Sequence, residues 1–274
     1  QGTTFVPSAT ANAGTGDLVV NRGTVIRLNA PSNILSAQGQ RVQLIGSEAV
    51  NSTRVELGTD APITSYNLFS ISNAQLALNL NEGLWTNTID LAKVGNGRAG
   101  VSAVSNTYYT AATLGAGIDN VYRFGGSNSA TLAITQSGAL SGTASLDVGR
   151  PHYIAGANPG STEAVVRLYG DQTYTGVTNI YREADGGSVG AVLELTGDSK
   201  SSAFNVYGRL TLRGDGRVTN DAGTQVNTVN LFPGGNLRLD YSMDVADNFI
   251  ISRLDNSNLG LETDENKWGD STPM

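Results

Sequence analysis

A single histidine, His152, sits in Gly149-Arg150-Pro151-His152-Tyr153. A general base or zinc site built on it would need carboxylates or water as partners, because the chain has no cysteine and no second histidine. The loop beside Pro151 is the simpler context, and no catalytic role is expected of it. Acid pairs are the other route to chemistry, since two carboxyl groups on one face can cleave a glycosidic bond. The candidates are Asp215 with Asp221, Glu183 with Asp185, and Asp244 with Asp247. Asp215 stands in Gly214-Asp215-Gly216 and Asp185 precedes Gly186-Gly187, which marks both as turn formers rather than catalytic acids. Calcium at such turns stays open, although the glycine-rich nonapeptide of calcium-binding rolls is absent. There is no Gly-x-Ser-x-Gly elbow, and no lysine follows Gly214-Asp215-Gly216 as a phosphate loop requires. The expectation is a protein that is not an enzyme, with no catalytic, metal or cofactor-binding residues and no cofactor.

The elements that would position any such group follow a repeated phrase of alternating leucines bracketed by glycine. It reads Leu193-Glu194-Leu195-Thr196-Gly197, then Gly208-Arg209-Leu210-Thr211-Leu212-Arg213-Gly214, then Gly234-Gly235-Asn236-Leu237-Arg238-Leu239-Asp240, with an echo at Leu259-Gly260-Leu261. Alternation over so few positions puts the leucines on one face of a short strand and the polar residues on the other. The second leucines, Leu195, Leu212, Leu239 and Leu261, are spaced by 17, 27 and 22 residues, near the length of one coil of a β-solenoid. One such strand cannot bury its own apolar face, so coils must stack to make a core. Similar phrases occur at Leu18-Val20, Thr24-Leu28, Arg41-Ile45, Arg54-Leu57, Tyr66-Ile71, Gln75-Leu80, Ala130-Ile134, Ala144-Val148 and Ala164-Leu168, with turn residues between them. The fold class expected is all-β, a parallel β-helix or solenoid. Its divisions are an N-terminal arm over 1–16, read as loose or as a terminal strand, a solenoid over 17–261 with a less regular segment at about 93–126, and an acidic tail over 262–274.

Composition narrows the function classes. Charged residues make up only 15% while Gly alone numbers 34, a balance that suits short strands and tight turns better than helices. The net charge of −7 gives phosphate backbones no electrostatic attraction, so nucleic acid is not an expected partner. The lack of cysteine excludes disulfides and fits an exported protein that folds without oxidation. No apolar run is long enough to span a membrane as a helix. The chain begins at Gln1 without a basic and apolar leader, as a processed mature protein or a piece of a longer one would. Its 10 tyrosines against 6 Phe and 2 Trp could stack on sugars outside or form ladders inside the solenoid.

From Val121 the sequence carries a more specific pattern. Val121-Tyr122-Arg123-Phe124-Gly125-Gly126, Leu140-Ser141-Gly142-Thr143-Ala144-Ser145-Leu146-Asp147-Val148-Gly149 and Val165-Val166-Arg167-Leu168-Tyr169-Gly170-Asp171-Gln172-Thr173-Tyr174-Thr175-Gly176-Val177-Thr178-Asn179-Ile180 resemble autotransporter-associated β-strand repeat proteins, best at Thr173-Tyr174-Thr175-Gly176. The resemblance covers about 121–239. It implies a right-handed parallel β-helix in a bacterial surface or secreted protein. Tyr169 departs from the usual small residue, and Arg182-Glu183-Ala184-Asp185-Gly186-Gly187-Ser188 lengthens a turn. No translocator pattern or terminal phenylalanine is seen, so anchoring by that route is not expected.

The expected function is that of an extracellular or cell-surface structural or adhesive solenoid, self-assembling through its chain ends into a fibre or surface layer. Surface glycans are a second expected partner. The alternative is a carbohydrate-active enzyme or glycan-binding module on the same scaffold, and a viral or phage fibre is a third form.

Overall fold

Alternating apolar residues, short strands and frequent turns make a stack of coils in the computed structural model. It describes residues 3–6, 18–20, 25–28, 42–44, 54–58, 60, 68–70, 77–80, 83–94, 97, 100–103, 105–126, 130–149, 165–181, 190–214, 216–218, 228–240, 251–254 and 260–262. Eleven strands, from Thr3–Val6 to Ile251–Leu254, pair in chain order into one long sheet. Every pairing in it is parallel. A second sheet of eight strands runs from Leu84–Trp85 to Gly260–Glu262, also in chain order. The chain alternates between the two sheets, so each circuit lays one strand on each. That alternation with all-parallel neighbours is the architecture of a parallel β-solenoid. A three-stranded sheet of Leu18–Val20, Val42–Leu44 and Leu68–Ser70 alternates with the first rungs of the long sheet in the same way.

The core is a set of columns. On the second sheet Leu193, Leu210 and Leu237 occupy one column, and Leu195, Leu212 and Leu239 the next. On the long sheet Phe124, Val148, Ile180, Val206 and Leu231 form a third. The last of these residues is 5% exposed and the other four are 0%, so the column is dry throughout. Each fully buried aliphatic side chain contributes about 1.5–3 kcal/mol, and a column collects that stabilisation only when successive coils are in register. Coil length is set by the connections. The shortest register step, Leu195 to Leu212, has only the small strand Asp198–Ser199 and the rung Ala203–Val206 between its ends.

Two expectations are corrected or refined, the register of Leu261 and the form of the N-terminal arm. Leu261 is the register partner of Leu237 rather than of Leu239. The stretch at about 93–126, expected to be less regular, contains the strands Gly100–Ala103, Thr107–Tyr109 and Val121–Gly126, each in register with its sheet neighbours. Its inward positions are taken by Val101, Tyr109, Tyr122 and Phe124 in place of leucine pairs, which hid the alternation. Of the two forms open to the arm, Thr3–Val6 takes that of a terminal strand, in register with Val25–Leu28. Residues 263–274 of the acidic tail lie outside the described residues.

Candidate functional site

The acids and the histidine singled out from the sequence, His152, Glu183, Asp185, Asp215, Asp221, Asp244 and Asp247, all lie outside the described residues. The glycines around Asp215 are described. Gly214 has φ +60°, a left-handed conformation that favours glycine, and a Cβ on Gly216 would come within 2.0 Å of the Leu195 carbonyl oxygen. Among the described residues no group of three or more His, Asp or Glu side chains is placed to hold a metal ion, and no helix is long and apolar enough to cross a membrane.

The phrase Thr173-Tyr174-Thr175-Gly176 is accounted for by packing. The backbone N–H groups of Thr173, Thr175 and Gly176 donate to the carbonyls of Leu140, Gly142 and Ala144 in the preceding coil. Gly176 is required by that approach, because a Cβ there would lie 2.4 Å from the Ala144 carbonyl oxygen. Tyr174 turns inward and is 0% exposed. Its hydroxyl sits in a buried run of side chains: Ser199 Oγ donates to Tyr174 Oη at 3.1 Å, and Tyr174 Oη lies 2.8 Å from Thr178 Oγ1. Thr178 Oγ1 donates to Ser201 Oγ at 2.8 Å, and Ser201 closes on the Gly176 and Ala203 carbonyls. With Tyr174 donating to Thr178, every hydroxyl in the run has an acceptor for its proton, and Ser201 shares its proton between two carbonyls, so this buried run is satisfied. Burial pushes the Tyr174 phenol up to about 12, against the pull of its bonds to Ser199 and Thr178. Gln172, also buried, accepts from the Leu140 N–H and donates to the Gln136 and Tyr169 carbonyls.

The outer face of the long sheet carries a second ordered row. Asn179, Asn205 and Asn230 occupy one register position in successive coils. Asn230 Nδ2 donates to Asn205 Oδ1 at 2.9 Å, and Asn205 Nδ2 to Asn179 Oδ1 at 2.9 Å. Asn179 Nδ2 donates to Asp147 Oδ1 at 2.8 Å, so the one-way amide row ends on a carboxylate. Burial raises the Asp147 pKa, against the lowering effects of the Asn179 bond and the Arg123 charge. Arg123 in turn is held in a two-pronged ion pair by Asp119, at 3.0 and 2.5 Å. Two residues along each strand stand Tyr181, Tyr207 and Phe232, stacked with interplanar angles of 6° and 12°. The outer face of the second sheet is charged instead. Arg167 pairs with Glu194, whose other oxygen lies 3.9 Å from Arg213, and Arg213 reaches Asp240 at 2.9 Å.

Neither outer row was singled out from the sequence. Its signal is a phrase shared by three rungs: Asn179-Ile180-Tyr181, Asn205-Val206-Tyr207 and Asn230-Leu231-Phe232, in which outward Asn and aromatic residues flank an inward aliphatic one. No family model, no curated protein and no solved structure matches the chain.

Proposed function

We propose that the chain is a structural and adhesive solenoid of the cell surface or extracellular space, which acts through its outer faces and assembles with copies of itself into a fibre or surface layer. The observation that carries this reading is the contrast between inside and outside. The interior is filled by stacked side chains, whereas through three coils the long sheet presents an uncharged row of Asn and aromatic residues, with Asp147 and Arg253 at the register positions on either side of the asparagines. Five described acids are engaged in holding the scaffold. Asp60 caps the Thr86 and Asn87 N–H groups, Asp119 holds Arg123, Asp147 ends the amide row, Glu194 pairs with Arg167 and Asp240 with Arg213. Acids committed in this way are poor candidates for the unpaired acid and base that polysaccharide cleavage needs, which favours binding over catalysis.

Electron micrographs of the purified chain, together with binding to intact cells and to immobilised polysaccharides, test the proposal. Filaments or sheets, or saturable binding to a surface, support it. A strictly monomeric short rod at high concentration that binds no cell and no polysaccharide rejects it. The glycan-binding reading of the same scaffold is favoured by one observation of its own, the amide row that runs through three coils beside the tyrosines.

A further inference from the structure

Two carboxamides of the row, Asn179 and Asn205, have hydrogen-bonding capacity to spare. A carboxamide offers two N–H donors and two acceptor lone pairs. Asn205 uses one donor toward Asn179 and one lone pair toward Asn230, and Asn179 uses one donor toward Asp147 and one lone pair toward Asn205. Each therefore keeps one donor and one acceptor side by side, repeated at the strand spacing of about 4.8 Å. An adjacent donor and acceptor is the arrangement that pairs with neighbouring hydroxyls on a pyranose ring. The aromatic row does not offer a ring face for sugar stacking, because Tyr181, Tyr207 and Phe232 turn their faces to one another.

Three properties of this face select its occupant. Its rows through these three coils are uncharged, on a chain of net charge −7, which favours a neutral ligand over an acidic polymer. Its groups repeat along a straight axis, which suits an extended polymer with a matching repeat. Its three coils span on the order of 200 Å², from strand spacing and residue rise, against about 800 Å² per partner in a standard protein interface. A straight chain of equatorially linked sugars meets all three conditions. We propose that the row Asn179, Asn205 and Asn230 is a docking track for an uncharged β-1,4-linked glycan laid along the solenoid axis, one sugar per coil, with the half-turn between successive sugars returning the same ring edge at every second coil. This proposal rests on the adhesive reading and supplies its ligand.

The test is titration calorimetry of the full chain with cello-oligosaccharides of two to six sugars, with maltohexaose and an oligouronate as controls. The expected result is affinity that rises from two sugars to three and then levels, where the row ends, with no binding of coiled maltohexaose or of the charged oligomer. Asn205→Val should keep the melting temperature and lose at least tenfold in affinity, while Tyr108→Ser, on the other sheet, should bind as the parent does. Where Asn205→Val melts early, Asn179→Val replaces it. Unchanged affinity in a folded row variant overturns the track, and so does failure to bind any cello-oligosaccharide. If polysaccharide or cell binding persists in that variant, adhesion stands and only the track falls. Concentration-dependent dimerisation that Asn205→Val abolishes would assign the face to a second copy of the chain and also overturn the proposal.

Discussion

Leu212 lies directly over Leu195, one coil apart, and both are 1% exposed. The pair belongs to a column that continues to Leu239, so each leucine is covered above and below by others like it. Replacing Leu212 by Asp puts a carboxylate where neither water nor a cation can reach it. The cost is several kcal/mol, on the order of 3 or more. Leu212→Ala, which leaves a cavity instead, should cost about 2–5 kcal/mol. Thermal or urea unfolding followed by circular dichroism checks both. An Asp variant that melts with the parent would reject the stacked column.

The leucine columns were legible because period-two alternation maps onto one face of a strand with little ambiguity. The rungs at Gly100–Ala103 and Thr107–Tyr109 were not, because buried glycine, serine, alanine and tyrosine fill positions where a pattern reader looks for leucine. Their burial is a tertiary effect of the coils above and below. The Asn179–Asn205 bond was invisible for a related reason. It joins residues 26 positions apart, and only the register between coils says which asparagines meet. The phrase around Tyr174 was visible as a motif, but its role in a buried hydroxyl run depends on Ser199 and Ser201 from the next coil.

Glycines at close approaches and glycines at left-handed turns should respond differently to alanine. Gly176 has the Ala144 carbonyl oxygen 2.4 Å from where a Cβ would stand, and its backbone neighbours cannot yield without shifting a coil. Gly138 has φ +72° with nothing within 4 Å of the same position. Gly176→Ala is expected to cost about 1–3 kcal/mol, as overpacking does, and Gly138→Ala only about 1 kcal/mol, the conformational penalty of a left-handed alanine. Denaturant midpoints of the two variants compare them, and equal losses would contradict the coil-to-coil contact at Gly176.

Three buried phenols predict an alkaline weakness. Burial raises the pKa of Tyr109, Tyr122 and Tyr174, only partly offset by hydrogen bonds, and Tyr174 reaches about 12. A phenol whose pKa is higher folded than unfolded holds its proton more tightly in the native state. The stability it contributes is complete below the unfolded value, near 10, and is lost as pH rises toward the folded one. Ultraviolet titration should therefore show a class of tyrosines that ionises only together with unfolding above about pH 11. Tyr174→Phe removes one of these groups and also breaks the hydroxyl run, at a cost of about 1–2 kcal/mol near neutrality. Smooth ionisation of all the tyrosines in the folded chain would contradict the burial.

Asp60 and Asp147 should give acid effects of opposite sign. Burial pulls the Asp60 carboxyl upward, but hydrogen bonds from Thr86 and Asn87 outweigh it and hold the pKa below the ordinary carboxylate value. Its contribution is present above the unfolded pKa and is lost as pH falls through the lowered folded value. Asp147 is shifted upward, chiefly by burial, so its ionised form costs stability at neutral pH, and the cost is relieved as pH falls through the raised folded value. Asp60→Asn should thus destabilise at pH 7 and flatten the loss of stability at low pH. Asp147→Asn keeps an oxygen for the Asn179 amide, extends the row by one carboxamide and leaves Arg123 with Asp119. It is expected to be neutral or stabilising at pH 7 and to have less effect at pH 3. Urea midpoints for both variants and the parent between pH 3 and pH 7 measure the two slopes. If Asp147→Asn destabilises at pH 7 as much as Asp60→Asn does, the carboxylate is required by the nearby Arg123 charge and its hydrogen bonds from Asn179 and Tyr181, and the view that burial dominates at Asp147 fails.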